Sequence, residues 1–325
     1  MRRRRAAALV ITPLLAALAL AGCGSASSSS KSASASSSAS ATADNYTSVT
    51  VTGAFGKAPT VKIPAATGSG ALYTKTLIQG TGAALTTSQS LLGDFALYDW
   101  SGKTNKLIGS TYTEGIPTLF AGSLLPGLEK ALIGQKLGSR VLAVIPPADA
   151  FGSAGNSEIG VGAKDTVVFV VDMLKSYDNN AGVTGKQTSN GGGALPTVIA
   201  GAAGKGPTIT IPKTAAPKTL QVKALIKGTG PVVKKGQFIV VQYTGMIWRT
   251  KKVFQSSWTT APFGTPIGEG QVIPGWDTGL VGQTVGSRVM LVIPPADGYG
   301  KTGSSSAGIN GTDTLVFVVD IISAS

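Results

Sequence analysis

Histidine is missing from this chain of 325 residues, and cysteine occurs once, at Cys23. Without imidazole, these residues can build neither a Ser-His-Asp nor a Cys-His catalytic arrangement, and histidine-based metal sites are excluded. Because no cysteine follows Cys23, the rest of the chain has neither an internal disulfide nor a thiol nucleophile. We therefore expect no metal and no other cofactor.

Charged residues are also scarce, at 13%, although their balance is a formal net charge of +13. Four of the positive charges are Arg2, Arg3, Arg4 and Arg5, and the lysines that follow are scattered, without a basic run. Nucleic-acid binding is typical of proteins with a clustered basic stripe, so no nucleic-acid partner is expected. A weak attraction to anionic cell-surface polymers stays open.

The amino-terminal residues 1–22 predict a secretory signal peptide, because MRRRR precedes an apolar stretch too short to span a bilayer comfortably. The stretch ends in Leu-Ala-Gly-Cys, which resembles the bacterial lipoprotein box and would make Cys23 the lipidation site. The alternative is an ordinary signal peptide with a chance cysteine. Residues 23–45 are rich in Ser and Ala and predict a flexible tether. The expected location is extracytoplasmic, with lipid at Cys23 anchoring the protein to the bacterial cell membrane.

The sequence after the tether is a duplication. SRVLAVIPPADAFG at 139–152 returns as SRVMLVIPPADGYG at 287–300, and KDTVVFVVDML at 164–174 returns as TDTLVFVVDII at 312–322. Both pairs share one offset, which predicts two copies of one fold. We place the copies at 46–177 and 197–325, joined by a linker at 178–196 that is rich in Gly and Asn.

Strand patterns dominate each copy and predict an α+β fold. Apolar or alternating runs bounded by Gly, Pro and Asp indicate strands, and Pro-Gly-Trp opens the one helical candidate. In the second copy the strands are predicted at 220–227, 238–247, 288–293 and 314–322, and the helix at 274–281. The predicted architecture is two tandem domains, each a twisted antiparallel sheet wrapped on one short helix.

A short segment near the start of each copy is also repeated, as GKAPTVKIP at 56–64 and GKGPTITIP at 204–212. Proline at both ends of such a strand is compatible with an edge position. We therefore predict one extra strand at the edge of each sheet.

The second copy carries the motifs VQYTGM, KVFQSS, GQVIPGWDTGL, VGSRVMLVIPPADGYG and TLVFVVDI in this order. Over about residues 219–322 it resembles the FKBP-type peptidyl-prolyl cis/trans isomerases. The resemblance implies that Trp276 forms the floor of a pocket for a proline ring, and that the Ile273 amide and the Tyr299 phenol donate hydrogen bonds to the flanking carbonyls. It implies a pocket formed by Tyr243, Phe254, Phe263, Val272, Ile273, Trp276, Tyr299, Ile309 and Phe317. Tyr243 and Phe317 are equally compatible with a purely structural role.

The predicted function is proline isomerisation by the second domain, assisting the folding of secreted or cell-surface proteins. The expected partners are proline-containing unfolded or secreted polypeptides, together with macrolide ligands, as the resemblance implies. Gln255 departs from the family pattern, which has Asp after the pocket Phe. We expect Gln255 to contact the substrate. Because its amide has no charge, we also expect slower turnover and weaker macrolide binding than in family members with Asp. The alternatives are a non-catalytic proline-peptide-binding chaperone or surface receptor and, less favoured, a structural spacer.

The first copy changes the same positions. It is predicted to keep Tyr98 and Phe169 while placing Ile108 at the Phe254 position, Leu128 at the Trp276 position and Phe151 at the Tyr299 position. All four distinctive aromatics of the second copy are expected to face aliphatic residues or a ring without a hydroxyl, and Asp-Trp is expected to replace the Thr-Gly after the tyrosine. We expect little or no catalysis from this copy, which is either a drifted domain or a non-catalytic platform.

Overall fold

The computed structural model describes residues 45–102 and 105–325. The predicted signal segment, Cys23 and nearly all of the predicted tether lie outside these residues. The first repeat forms β1 (Thr50–Thr52), β2 (Thr60–Lys62), β3 (Tyr73–Ile78), β4 (Gln89–Trp100), β5 (Asn105–Ser110), β6 (Thr118–Phe120), α1 (Pro126–Leu132), β7 (Arg140–Ile145) and β8 (Thr166–Asp178). The second forms β9 (Thr197–Ile199), β10 (Thr208–Thr210), β11 (Gln221–Ile226), β12 (Phe238–Ile247), β13 (Lys252–Ser256), β14 (Phe263–Pro266), α2 (Pro274–Leu280), β15 (Arg288–Ile293) and β16 (Leu315–Ala324). Within the described ranges, no helix is both long enough and apolar enough to cross a membrane.

Each repeat contains one six-stranded antiparallel sheet with the same strand order. The first runs β3-β7-β8-β4-β5 and the second β11-β15-β16-β12-β13. In both, the long strand beside the last edge strand has a further short partner: β6 pairs with β4, and β14 pairs with β12. The predicted α+β fold, with two tandem domains of one architecture, is confirmed.

The element predictions for the second repeat hold with small shifts at the ends. β12 and β15 have the predicted bounds, β11 and β16 differ from theirs by one or two residues, and α2 ends one residue early. The helix begins with Pro274 in its first turn, where a missing N–H costs nothing. These elements were predictable because each has the apolar periodicity of its own secondary structure.

Each helix lies close against one face of its sheet. In α2, a Cβ added to Gly275 would lie 2.6 Å from Ile293 Cγ2, so glycine is required for this approach. Gly127 has the same relation to Ile145 in α1. The contact buries Trp276 and Leu280 in the core of the second repeat.

The repeated Pro-flanked segment is not an edge strand of the main sheet, and that prediction is wrong. β2 pairs with β1, and β10 pairs with β9, as separate two-stranded antiparallel hairpins. Val198 and Ile209 pack against Met290 and Val292, on the face of the sheet opposite α2. That second face is also apolar, so a hairpin that covers it buries more nonpolar surface than an added edge strand would.

A buried ion pair recurs in both sheets. Arg140 Nε donates to Asp172 Oδ1 at 2.6 Å, and Arg288 Nε donates to Asp320 Oδ1 at 2.6 Å. The first pair also holds the turn of the β1–β2 hairpin, because Arg140 donates to the Gly53 carbonyl at 3.0 Å. Removing one partner of such a pair typically costs about 3–5 kcal/mol, since it leaves an uncompensated buried charge.

The segment between β8 and β9 is tied to the second repeat by hydrogen bonds. The Val183 amide donates to Asp320 Oδ2 at 3.1 Å, and the Thr188 amide donates to the Leu225 carbonyl at 2.9 Å. The predicted domain and linker boundaries stay predictions, although β8 ends at Asp178 and β9 begins at Thr197.

Candidate functional site

Five rings of the second repeat form one aromatic cluster, whose members are Tyr243, Phe254, Phe263, Trp276 and Phe317. The Trp276 ring centroid lies 5.3 Å from that of Tyr243 and 5.3 Å from that of Phe317, with interplanar angles of 84° and 88°. Edge-to-face pairs of this kind are favourable beyond their buried area, by about 0.5–1.5 kcal/mol. The rings of Tyr243, Trp276 and Phe317 therefore restrict one another's positions.

The cluster draws on five different elements. Tyr243 comes from β12, Phe317 from β16, Phe263 from β14 and Trp276 from α2. Phe254 lies on β13 at a β-bulge, where the register with β12 shifts. A bulge re-aims a side chain that ordinary alternation would place elsewhere, which lets Phe254 approach the Phe317 ring with centroids 5.6 Å apart.

Gly245 makes room for two of these rings, and the sequence reasoning missed it. A Cβ at Gly245 would lie 2.8 Å from Phe254 Cζ and 2.8 Å from Phe317 Cε1, which is too close for any side chain. The available signal was a glycine inside a strand, which often marks a close approach of other groups.

Trp276 lies at the base of the cluster, with 4% of its surface exposed. Its indole Nε1 is buried and has no hydrogen-bond partner among the described residues. Phe263 and Tyr299, by contrast, are 37% and 38% exposed and form the solvent-facing edge. The site is thus apolar and covered at its base, with aromatic groups at its rim.

The predicted aliphatic walls are at the same place. Ile309 is 3% exposed and belongs to the core that contains Trp276, and Val272 and Ile273 pack on that core while half-buried. The carbonyl of Ile273 accepts from the Trp276 amide at 2.9 Å. The Ile273 amide itself makes no hydrogen bond within the described part of the chain, so it is available as a donor.

The phenol of Tyr299 is the second available donor, since it has no hydrogen-bond partner among the residues described. Burial raises the pKa of Tyr299 above its usual value. Burial also raises the pKa of Tyr243, with a smaller contribution from the nearby Tyr299. Both phenols therefore stay protonated at neutral pH, and Tyr299 can donate an O–H.

Gln255 lies on β13 opposite Gly245 and is exposed. Its side chain makes no hydrogen bond to the described residues. The position that has Asp in the family pattern therefore presents an uncharged amide to solvent.

The backbone of Tyr243 is held by a residue that the sequence reasoning did not single out. Ser257 Oγ accepts from the Tyr243 amide at 2.8 Å, and it also bonds Gln242 Oε1. This contact ties the start of the loop after β13 to the strand that carries the tyrosine. No sequence signal distinguishes Ser257 from the many other serines.

The structure brings the predicted ring residues, the two donors and the aliphatic walls together in one place. Their roles toward a ligand stay predictions. Cys23 lies outside the described residues.

The first repeat has a phenylalanine rather than the predicted tyrosine at this site, and the alignment of Tyr98 with Tyr243 is wrong. Tyr243 pairs with Val319, and its counterpart in the other sheet is Phe95, which pairs with Val171. Tyr98 points to the opposite face and packs under the β1–β2 hairpin. The error is an alignment shift of three residues, an odd number, and side chains alternate between faces with a period of two.

The strand register also changes which residues of the first repeat correspond to Thr244 and Gly245. Ala96 and Leu97, rather than Asp99 and Trp100, stand at the places of Thr244 and Gly245. Trp100 is fully buried on the hairpin side and donates its indole N–H to the Ala66 carbonyl at 2.7 Å.

Leu97 therefore occupies the place of the glycine that admits two rings in the second repeat. It is 8% exposed and lies in the same core as Leu128 and Phe169, with Ile108 and Phe151 packed against it. The counterpart of Phe263 is Thr118. An aliphatic residue or a ring without a hydroxyl was predicted at this position, and that prediction is wrong. At this site the first repeat thus has Leu128 in place of the indole, Phe151 in place of the Tyr299 phenol and Leu97 in place of Gly245.

Comparison with known proteins finds the same family in both repeats. A family model described as FKBP-type peptidyl-prolyl cis-trans isomerase matches residues 87–174 and 230–322, which together make up more than half of the chain. An FK506-binding protein of Streptomyces anulatus is 38% identical over 117 residues, covering 36% of this chain and 94% of that protein.

Two further matches differ in extent. Peptidyl-prolyl cis-trans isomerase FKBP9 of Rattus norvegicus is 28% identical over 202 residues, covering 62% of this chain and 29% of that protein, so the chain spans less than a third of it. The crystal structure of AtFKBP13 is 32% identical and covers 34% of this chain and 96% of that one, with a TM-score of 0.31. With a family match in each repeat, the chain belongs to the FKBP-type peptidyl-prolyl cis-trans isomerase family.

Proposed function

We propose that the second repeat catalyses cis/trans isomerisation of peptide bonds before proline and that the first repeat does not. The observation that carries the proposal is an apolar aromatic site beside two donors, the Ile273 amide and the Tyr299 phenol, which make no hydrogen bond to the described residues. Leu97 fills the corresponding space in the first repeat.

The chemistry follows from the electronic structure of the amide. Rotation about its C–N bond has a barrier of about 18–20 kcal/mol, because the twisted form loses resonance. The twisted form is also less charge-separated than the planar one, so an apolar environment favours it. A site that binds this form better than either planar isomer lowers the barrier. No nucleophile, metal or proton shuttle is needed, which suits a chain without histidine.

The proposed roles divide between rings and donors. Trp276 supplies the floor for the proline ring, and Tyr243, Phe254, Phe263 and Phe317 supply the walls. The Ile273 amide and the Tyr299 phenol hold the flanking carbonyls while the bond between them turns. Loss of one such hydrogen bond typically costs about 1–3 kcal/mol when the remaining partner stays buried.

The proposed substrates are proline-containing unfolded or secreted polypeptides. Macrolides are proposed as competing ligands, supported by the FK506-binding names of relatives. Gln255 is proposed to lower both the isomerase turnover and the affinity for macrolides, because an amide provides no charge where the family pattern has a carboxylate.

The proposed location is the outer face of the bacterial cell membrane, through lipid on Cys23. The support is the charged start, the short apolar run and the Leu-Ala-Gly-Cys sequence. A protein held there would meet chains emerging from the secretion machinery. Metabolic labelling with an alkyne fatty acid tests the anchor: the wild-type chain should incorporate label, and Cys23→Ser should not.

A non-catalytic role in binding unfolded chains is the second candidate. It is favoured by the first repeat, which retains apolar rings at Phe95, Phe120 and Phe169 without a phenol donor. In a refolding assay with a proline-free client, suppression of aggregation by the full chain would support this role.

The isomerase proposal is tested with the full chain and a proline-containing tetrapeptide. Trp276→Leu copies the first repeat and should lower kcat/KM by roughly 10- to 100-fold, because the floor of the site is lost. Leu128→Met, at the equivalent place in the first repeat, is the matched control and should leave turnover unchanged. Equal turnover by Trp276→Leu and wild type would argue against catalysis at this site.

A further inference from the structure

The first repeat packs directly on the strand that carries one wall of the aromatic site. This inference rests on the proposed function of the second repeat. We propose that Leu119 of the first repeat is a positioning residue for Phe263, acting through the backbone of Gly264.

The contact belongs to an apolar inter-repeat cluster. Leu92, Phe238 and Val240 are buried in it, and Ile116, Leu119, Tyr177 and Ile322 pack on them while half-buried. The cluster therefore combines side chains from β4, β6, β8 and the loop before β6 of the first repeat with side chains from β12 and β16 of the second. It lies outside the cores that contain the two candidate sites.

Equivalent positions of the two repeats meet in this cluster. Leu92 and Val240 are counterparts in the two sheets, and they pair with Leu119 and Gly264 respectively. A Cβ at Gly264 would lie 2.8 Å from Leu119 Cβ and 2.7 Å from Phe238 Cζ. Gly264 is the counterpart of Leu119 in the second repeat. Because Gly264 has no side chain, Leu119 can pack directly against its backbone.

Gly264 transmits this contact to the site because Phe263 precedes it on β14. β14 is four residues long and pairs only with β12 among the described strands. A short edge strand with few buried side chains opens at low free-energy cost. Phe263 is 37% exposed, and its ring lies 5.9 Å from Tyr243 and 6.1 Å from Trp276. Its position therefore depends on how firmly β14 is held from behind.

Two hydrogen bonds hold the repeats together around this contact. The Tyr177 hydroxyl donates to Ser323 Oγ at 3.0 Å, and Gln242 Nε2 donates to the Asn179 carbonyl at 2.8 Å. Gln242 is the neighbour of Tyr243 on β12. β12 and β16 are thus tied to the end of β8 and the residue after it by polar as well as apolar contacts.

The test is Leu119→Ala in the full chain, assayed with a proline-containing tetrapeptide. We expect KM to rise about fivefold with kcat changed less than twofold, because the wall is loosened while the floor and donors stay in place. Leu107→Ala is the matched control: it is the same substitution in the first repeat, at a leucine that is 46% exposed. The control should leave KM unchanged, and Leu119→Val should restore most of the wild-type value.

A double-mutant cycle separates positioning from general destabilisation. If Leu119 acts through Phe263, then Leu119→Ala should have little further effect on KM in a Phe263→Ala background. An effect of equal size in both backgrounds overturns the proposal. So does a rise in KM that Leu107→Ala reproduces.

Hydrogen exchange supplies a readout that does not need turnover. Leu119→Ala should speed amide exchange at residues 263–265 by about tenfold and leave β15 unchanged. If the wild-type chain has no isomerase activity, the proposed function fails, and exchange alone then decides whether Leu119 holds β14. Unchanged exchange at 263–265 overturns the positioning proposal even where turnover is normal.

Discussion

The two repeats share a fold but differ in what stands at the centre of the sheet. In the second, Gly245 leaves space that the Phe254 and Phe317 rings enter. In the first, Leu97 fills the same place, and Leu128 replaces the indole. The contrast teaches that the framework of strands and helix is independent of the site, since a sheet of the same order forms with either set of residues.

What both repeats keep is the buried ion pair and the helix glycine. Arg140–Asp172 and Arg288–Asp320 have the same 2.6 Å contact. These groups serve folding, because a buried charge needs its partner whether or not a ligand binds. Gly245, Trp276 and Tyr299, by contrast, differ from their counterparts in the first repeat and lie around the candidate pocket of the second. The residues that the repeats share therefore account for their common fold, and the residues that differ at the pocket support the proposed difference in function.

The largest expected effect is that of Gly245→Leu, which gives the second repeat the residue of the first. The new side chain meets two rings at less than 3 Å, so the site should close. We expect kcat/KM for a proline tetrapeptide to fall at least 100-fold, with a loss of about 1–3 kcal/mol in the free energy of unfolding from overpacking.

Leu97→Gly is the control for that change. It removes a buried side chain from the first repeat and should lower stability by about 2–5 kcal/mol without changing turnover. Wild-type turnover by a folded Gly245→Leu variant would refute the assignment of activity to the second repeat.

A smaller effect is expected from Tyr299→Phe, which gives the second repeat the ring of the first. The aromatic edge is kept and one O–H donor is lost, so kcat/KM should fall about 10-fold, equivalent to about 1.4 kcal/mol. The counterpart Phe151→Tyr should add no activity, because Leu97 still fills that site. If Tyr299→Phe is as active as wild type, the phenol is not a donor to the substrate.

The smallest expected effect concerns pH and a carboxyl group of the first repeat. Asp99 is 6% exposed, and its Oδ1 has no hydrogen-bond partner among the described residues. Burial, with a further contribution from Asp165, raises the pKa of Asp99 to about 6. The folded state therefore binds a proton more tightly than the unfolded state between about pH 4 and pH 6, and this group makes the protein less stable as pH rises through that window.

Asp99→Asn should remove this penalty. At pH 7.5 its free energy of unfolding should exceed that of wild type by about 1 kcal/mol, and the difference should vanish near pH 4. In the second repeat, the pKa of a carboxyl group is shifted in the opposite direction. Hydrogen bonding to Arg249 lowers the pKa of Asp313, so Asp313→Asn should reduce stability at pH 7.5. Thermal unfolding at both pH values measures the two differences, and a wild-type midpoint for Asp99→Asn at pH 7.5 would contradict the first.

Much of the second repeat was predictable because its local patterns are strong. β12 and β15 could be delimited from apolar runs, and the residues of the aromatic cluster could be placed through family motifs. The hairpins were not predictable as such, since β2 and β10 have edge-strand chemistry and only the apolar second face of the sheet decides where they lie. The mistaken match of Tyr98 has a similar cause: a three-residue misalignment preserves an aromatic and still changes the face.

The amino-acid sequence by itself determined the duplication, the strand and helix segments and the residue types of the candidate site, because these depend on local periodicity and on motifs. Only the tertiary structure decided that Phe95 rather than Tyr98 faces the site of the first repeat. It also decided that the Phe254 and Phe317 rings pack against Gly245, and that Leu119 packs against Gly264. These facts depend on strand register and on contacts between residues far apart in the chain, and packing at such contacts is set by the space that both partners leave.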